Sequence, residues 1–304
     1  MAPTPLPDSL PDDLDGLHDV VLEWYDDHAR DLPWRAPGTP AWHVLVSELM
    51  LQQTPVVRVL PVYEAWVRRW PRPQDLAAAP SGEAVRAWGR LGYPRRALRL
   101  HACAVALTEQ HDGVVPDDHA TLLTLPGVGS YTAAAVASFA FGQRHAVLDT
   151  NVRRVLGRVV AGTAYPPNAA TVAERRTAEA LLPDDPATAA RWAVAVMELG
   201  ALVCTARSPR CGECPVRDRC AWYAAGRPEH DGPPRRGQAW AGTDRQCRGR
   251  LLGVLRDADG PVPKDALDAV WDAAPQRERA LDSLVADGLV DARDDGTYAL
   301  PGTP

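Results

Sequence analysis

Lysine is almost absent from this sequence: Lys264 stands alone among 33 basic residues, and the others are all arginine. Drift in a GC-rich genome is the plain cause, but the chemical consequence holds either way. No side-chain amine before residue 264 can attack a carbon to form an imine. No run approaches the roughly 18 apolar residues of a membrane span. Residues 1–15 are rich in Pro and Asp, without the basic and apolar regions of a secretory signal. These absences predict a cytoplasmic protein with no membrane partner. In that reducing compartment the six cysteines read as metal ligands or free thiols rather than disulfides.

An excess of positive charge is missing too, the net being −6. The deficit is uneven. Residues 1–29 hold eight acids and no Lys or Arg (−8), residues 30–220 hold 22 basic and 17 acidic residues (+5), and residues 221–304 hold 11 and 14 (−3). A basic face in the middle of the chain is compatible with this distribution.

What is present is helical periodicity over enough chain for two domains: 304 residues, 46% of them hydrophobic. Val44, Leu45, Leu49 and Met50 fall at helical spacing, as do Val152, Val155, Leu156 and Val159, and strand-like alternation is scarce between residues 19 and 223. Pro71, Pro73, Gly113, Pro116, Pro166 and Pro167 punctuate the helices. Residues 226–242 shift to Gly, Pro and Arg, the composition of a linker. Beyond them the pattern predicts helices near 248–256, 264–271 and 276–287, then strands over 289–292 and 297–300 joined by the turn Asp294-Asp295-Gly296. Three helices and a hairpin suggest a winged-helix-like module, whose partner (DNA or protein) the sequence does not choose. The expected division is a disordered acidic tail over 1–18, a helical domain over 19–223, a linker over 224–245 and the winged-helix-like module over 246–304. The fold class is all-α.

Four features carry chemistry. Cys204, Cys211, Cys214 and Cys220 follow C-x6-C-x2-C-x5-C, a thiolate set for zinc or a [4Fe–4S] cube. Structural zinc prefers two close pairs, and only one exists here. Cys103 and Cys247 lie outside the motif. Leu125-Pro126-Gly127-Val128-Gly129 precedes an Ala-rich helix; it is either a plain corner or a hairpin whose amides grip a phosphate. Asp149 precedes an apolar-periodic helix, as an N-cap would. Glu48 has Val44, Leu45 and Leu51 as helical neighbours; facing a pocket it would be desolvated and hold a proton, facing solvent it would be ordinary. Arg90, Arg95, Arg96 and Arg99 suit either a phosphate-facing surface or a solvated helix face.

These motifs together resemble one family. The cysteine spacing is similar to the cluster loop of the endonuclease III and MutY family of helix-hairpin-helix glycosylases, and L-P-G-V-G-x-Y-T-A resembles its hairpin. The segment Val147-Leu148-Asp149-Thr150-Asn151 resembles the stretch bearing its catalytic aspartate. Ser47-Glu48-Leu49-Met50-Leu51-Gln52-Gln53-Thr54 and Leu32-Pro33-Trp34-Arg35 match the adenine-specific MutY branch. The resemblance spans about residues 20–223. It implies a helix-hairpin-helix glycosylase fold of two helical subdomains, a [4Fe–4S] cluster on Cys204, Cys211, Cys214 and Cys220, and a basic loop around it carrying Arg207, Arg210, Arg217 and Arg219. By the same resemblance Glu48 is the general acid at adenine N7, and Asp149 is the anion that faces C1′, supported by Tyr131 and Asn151. Trp34, Arg35 and Leu51 line the adenine pocket, Gln53 and Thr54 meet the partner base, Tyr93 wedges the stack, and Gly127 and Gly129 hold a phosphate.

Where the lyase branch has lysine, this chain has Tyr131, which implies a monofunctional enzyme leaving an intact strand. The implied substrate is double-stranded DNA with adenine opposite 8-oxoguanine or guanine, acted on by a monomer at the bacterial nucleoid. Departures are Thr150 for the usual glycine, Val194 where many members place a Gln or Glu toward adenine, and the lack of a larger MutT-like C-terminal domain. The rivals are a mismatch thymine or uracil glycosylase and a non-catalytic iron–sulfur DNA-binding regulator.

Overall fold

The computed structural model describes residues 14–230 and 240–304. The chain forms two compact units, each assembled from three segments. One holds the described residues of Met1–Val44, Asp117–Leu123 and Val128–Pro233; the other holds those of Leu45–Pro116, Thr124–Gly127 and Pro234–Pro304. Helices come in the order α1 (Leu14–His28), α2 (Ala41–Leu51), α3 (Val56–Arg69), α4 (Pro73–Ala77), α5 (Ser81–Trp88) and α6 (Arg95–Gln110). Then follow α7 (His119–Leu122), α8 (Ser130–Phe141), α9 (Thr150–Val159), α10 (Val172–Ala180), α11 (Pro186–Leu202) and α12 (Ala221–Ala224). The expected tail meets a correction at its end: residues 14–18 belong to α1, whose Leu17 and Val21 are buried. The rest of that tail, and the middle of the expected linker, lie outside the described residues.

Local chemistry sets the helix starts of the first unit. Asp149 caps α9, Thr171 caps α10 with Glu174 returning the bond to the cap amide, and Asp185 caps α11 with Pro186 in its first turn. The apolar stripes of α1, α9 and α11 then meet in one core, with Leu17, Val21, Val155, Trp192, Val196 and Leu199 all buried. In the second unit Trp66 packs edge-on against Trp70 at 4.7 Å and against Trp88 at 5.9 Å, tying α3 to α5.

The C-terminal module adds α13 (Asp244–Asp257), α14 (Lys264–Asp268) and α15 (Ala274–Ala286), with strands β1 (Val262–Pro263), β2 (Asp291–Ala292) and β3 (Thr297–Ala299). The antiparallel sheet runs β1-β3-β2, a winged-helix order. Sequence alternation missed β1 because two residues are too few to show a period. The module shares its compact unit with residues 45–116. The Gly82 amide donates to the Pro301 carbonyl at 2.8 Å, Arg86 Nη1 donates to the carbonyls of Arg256 and Ala258, and Arg256 Nε returns a bond to the Val85 carbonyl. Gly82 has to be glycine there, since a Cβ would stand 2.5 Å from the Pro301 oxygen. Among the described residues no helix is long and apolar enough to cross a membrane.

Candidate active site

Three aspartates cap helices in the first unit, and they differ in kind. Asp118 and Asp185 are exposed, and their hydrogen bonds from Thr121 and Thr188 hold the carboxyl below its usual range. Asp149 is partly buried, and burial pushes it above that range although the Val152 and Asn151 amides pull the other way. Its Oδ1 accepts from the Val152 amide at 2.6 Å, and its Oδ2 accepts from Asn151 Nδ2 at 2.8 Å. Asp118 and Asp185 also accept a second bond, but from the hydroxyl of the same threonine whose amide they cap, whereas Asp149 takes its second from a different residue, Asn151. Tyr131, on the first turn of α8, packs partly buried against the small cluster of Ala134, Val147 and Ala193.

Asn151 is itself held. Its Oδ1 accepts from Arg154 Nη2 at 2.7 Å, while Arg154 also donates to the carbonyls of Gly200 and Cys204, each at 2.7 Å. The close passage of α9 and α11 depends on Gly200, where a Cβ would stand 2.7 Å from the Asn151 Cβ. Helical spacing could have exposed Arg154 and Arg158 at the sequence level, because both fall on the buried face with Val155 and Val159.

Trp34 is 6% exposed and Arg35 sits beside it. Arg35 Nη2 is held by Glu198, while its Nη1 is buried and finds no hydrogen-bond partner among the described residues. Glu198 is fully buried and also takes both ends of Arg30, so it cannot stand in for the polar group missing at Val194.

In the second unit α2 is buried over residues 45–50, and Glu48 is 4% exposed there beside a buried Ser47 and four apolar side chains. The bland alternative, a solvent-facing glutamate, is thereby removed. Leu51 is partly buried at the end of the helix. Gln53 is exposed with φ of 54°, and Tyr93 is 53% exposed with φ of 46°. Thr54 is buried, its hydroxyl tied to the carbonyls of Gln52 and Leu91. Arg96 corrects the surface reading: it is 6% exposed and turned inward, while Arg95 is exposed and pairs with Asp287 at 3.2 Å. Gly127 has φ of 81° and lies over Arg99, where a Cβ would meet the Arg99 Cβ at 2.9 Å. Gly129 has an ordinary φ and open space at its Cβ position, and α8 beyond it has no side-chain cap.

Cys204, Cys211, Cys214 and Cys220 line one small cavity walled by Val155, Val159, Leu199, Val203, Val216 and Trp222. Among the described residues no three His, Cys, Asp or Glu side chains gather as a single ion requires. Four soft donors spaced around an apolar chamber fit a polynuclear cluster better than one zinc. Burial pushes the Cys214 thiol up to about 12 and raises Cys220 as well, so a metal centre binding thiolates must displace their protons. Arg158, buried and 4.5 Å over the Trp222 ring, donates to Cys204 Sγ at 3.3 Å. Around the chamber Arg207, Arg210 and Arg219 are exposed; Arg217 is partly exposed and paired with Asp218.

Comparison with known proteins agrees with this geometry. The HhH-GPD superfamily of base excision DNA repair proteins matches residues 46–179, and the iron–sulfur binding domain of endonuclease III matches residues 204–220, which begin and end on the outer cysteines. An adenine DNA glycosylase of Mycobacterium tuberculosis is 58% identical over 284 residues, 93% of this chain and 92% of that one. One from Mycolicibacterium smegmatis is 56% identical over 283 residues, 93% of this chain and 95% of that one. Among solved structures, a thermostable thymine-DNA glycosylase superposes with a TM-score of 0.63 at 28% identity, covering 70% of this chain and 97% of that one.

Proposed function

The chain belongs to the adenine DNA glycosylases of the HhH-GPD superfamily, and from that premise we propose how its own side chains release the base. It is a DNA N-glycosylase of base excision repair, monofunctional, and it carries a [4Fe–4S] cluster. Cys204, Cys211, Cys214 and Cys220 would hold that cluster. When bound, it orders the arginine-bearing loop and supplies no hydrolytic chemistry.

Glu48 gives a proton to adenine N7 as the bond from C1′ to N9 breaks and its electron pair leaves with the base. Asp149, ionised, faces the cation at C1′, with Asn151 and Tyr131 fixing its position. Water adds at C1′ and loses a proton, leaving an abasic site in an unbroken strand. Trp34, Arg35 and Leu51 contact the extruded adenine, and the open Arg35 Nη1 suits a ring-nitrogen acceptor. Gln53 and Thr54 lie on the side of the partner base and Tyr93 enters the stack, which offsets part of the cost of extrusion. The uncapped start of α8 at Gly129, with Gly127 before it, receives a phosphate. The mispairs served are adenine opposite 8-oxoguanine or guanine, the enzyme acts as a monomer, and its place is the bacterial nucleoid.

The observation that carries this reading is Asp149, the one of three aspartate caps that is both burdened by burial and steadied by a second amide. The test incubates the protein with duplexes bearing A·8-oxoG, A·G, A·C and T·G pairs and then cleaves abasic sites with alkali. Release of adenine from the first two supports the reading. Release only from T·G overturns the adenine pocket, and binding without release would place the chain among regulators. Glu48→Gln should abolish turnover while keeping affinity for the mispaired duplex, and unchanged turnover removes Glu48 from the acid role.

A further inference from the structure

Arg96 joins two loops that no sequence motif connects. From the first turn of α6 its Nη1 donates to the carbonyls of Leu49 (3.0 Å), Met50 (3.3 Å) and Gln52. These carbonyls lie in the last turn of α2 and just beyond it, where the supply of following helical amides runs out. Its Nη2 donates to Thr54 Oγ1 at 3.1 Å and to the Gly92 carbonyl at 3.3 Å, and its guanidinium lies 5.3 Å from the ring centres of both Trp88 and Tyr93. Burial lowers its pKa to about 10, which leaves it a cation at neutral pH.

The two loops share an anomaly. Gln53 and Tyr93 both adopt left-handed backbone, at φ of 54° and 46°, and neither is glycine. Such a conformation persists only where the surroundings over-determine it. The bonds of Arg96 bracket both residues: Gln52 and Thr54 on either side of one, Gly92 and the ring itself at the other. The Thr54 hydroxyl adds a direct link to the Leu91 carbonyl at 3.4 Å, and Trp88 Nε1 holds the Gly92 carbonyl at 2.9 Å. Three of the five acceptors on Arg96 (Gln52, Thr54 and Gly92) thus directly flank an exposed side chain, Gln53 or Tyr93, and the other two, Leu49 and Met50, end the helix that leads into Gln53.

We infer that Arg96 is a positioning residue for partner-base discrimination, setting Gln53 and Tyr93 at a fixed spacing so that wedging by one and reading by the other occur together. This rests on the proposal that Gln53 and Tyr93 meet the DNA stack. A lysine could not replace it, because a single ammonium lacks the planar fork that reaches both loops at once.

The test measures two quantities on the full chain. One is the ratio of single-turnover rates on A·8-oxoG and A·C duplexes; the other is the fluorescence rise of 2-aminopurine placed at the target position, which reports extrusion. Arg96→Met and Arg96→Lys should each lower the ratio about tenfold or more and reduce the rise, with helical circular dichroism and cluster absorbance retained. Thr54→Val, which removes one acceptor without changing volume, should shift both readouts the same way and serves if the Arg96 variants do not fold. Folded Arg96→Met with both readouts unchanged overturns the inference and leaves Arg96 a structural residue. Tyr93→Ala and Gln53→Ala run alongside: if neither moves either readout, the wedge assignment itself falls and the inference falls with it, by a separate route.

Discussion

Arg30 grips Glu198 at two points, Nε to Oε1 at 2.7 Å and Nη2 to Oε2 at 2.8 Å, so that one carboxylate fastens the start of the Arg30–Arg35 segment to α11. The Arg30 backbone amide adds a third bond, to Oε1 at 3.1 Å, and Arg35 Nη2 a fourth, to Oε2 at 2.9 Å. Burial alone would raise the Glu198 carboxyl, but the arginine bonds prevail and hold it down at about 2.

This carboxylate gives a measurable acid limb. Its folded value of about 2 lies below the ordinary 4.5, so its contribution is complete above pH 4.5 and drains away as pH falls toward 2. The shift corresponds to about 3 kcal/mol. Glu198→Gln should therefore lower stability at neutral pH and flatten the loss between pH 4.5 and 2. Urea melts across that range check it, and parallel curves for the two proteins would contradict the assignment.

Asp149 has the opposite sign. Its folded carboxyl lies above the ordinary 3.8, so ionisation in the folded state costs stability once pH rises past that value. Asp149→Asn should leave the melting temperature at pH 7.5 equal or higher, while single-turnover excision drops by about 10³-fold or more. The wild-type rate should fall on acidification at a pH above 3.8, as the carboxyl takes up its proton. A variant that is destabilised yet active would undo this reading.

Gly200→Ala places a methyl 2.7 Å from the Asn151 Cβ and 2.9 Å from the Asn151 carbonyl oxygen, backbone that cannot swing aside. Overpacking of this kind costs about 1–3 kcal/mol. The displacement falls on the residue that steadies Asp149, so turnover should decline by more than the loss of folded protein accounts for. Thermal melts and active-site titration by burst amplitude separate the two effects.

The two hairpin glycines should behave differently. Gly127→Ala meets both a left-handed backbone and the Arg99 side chain, and it should lower stability by about 1 kcal/mol or more. Gly129→Ala meets neither, so its melt should match wild type while affinity for duplex DNA weakens and the salt dependence of binding becomes shallower. Equal melts for both variants would remove the conformational argument for Gly127.

The four cysteines stand out in the sequence by their spacing, whereas position alone leaves Asp149 a plain N-cap and Glu48 an ordinary helix glutamate, and only the family resemblance singles those two out. Arg96 was misread as surface, although Leu100, Cys103 and Leu107 follow it at helical intervals on the same buried face. Applying the helix period to a charged residue would have corrected it. Glu198 gave no such hint of its partners, because Arg30 lies 168 residues away and nothing local announces the pairing. The shared unit of the C-terminal module was equally hidden: the bond from Gly82 to Pro301 joins residues more than 200 positions apart, and periodicity carries no information across that distance.

That last bond has a consequence for synthesis. The close approach at Gly82 receives a carbonyl from Pro301, so α5 must wait, as the chain leaves the ribosome, for more than 200 further residues before that contact can form. Loop closure over such a separation is slow relative to helix formation. Packing of α5 against this module is therefore a late, non-local step in the assembly of the unit, following the formation of its helices.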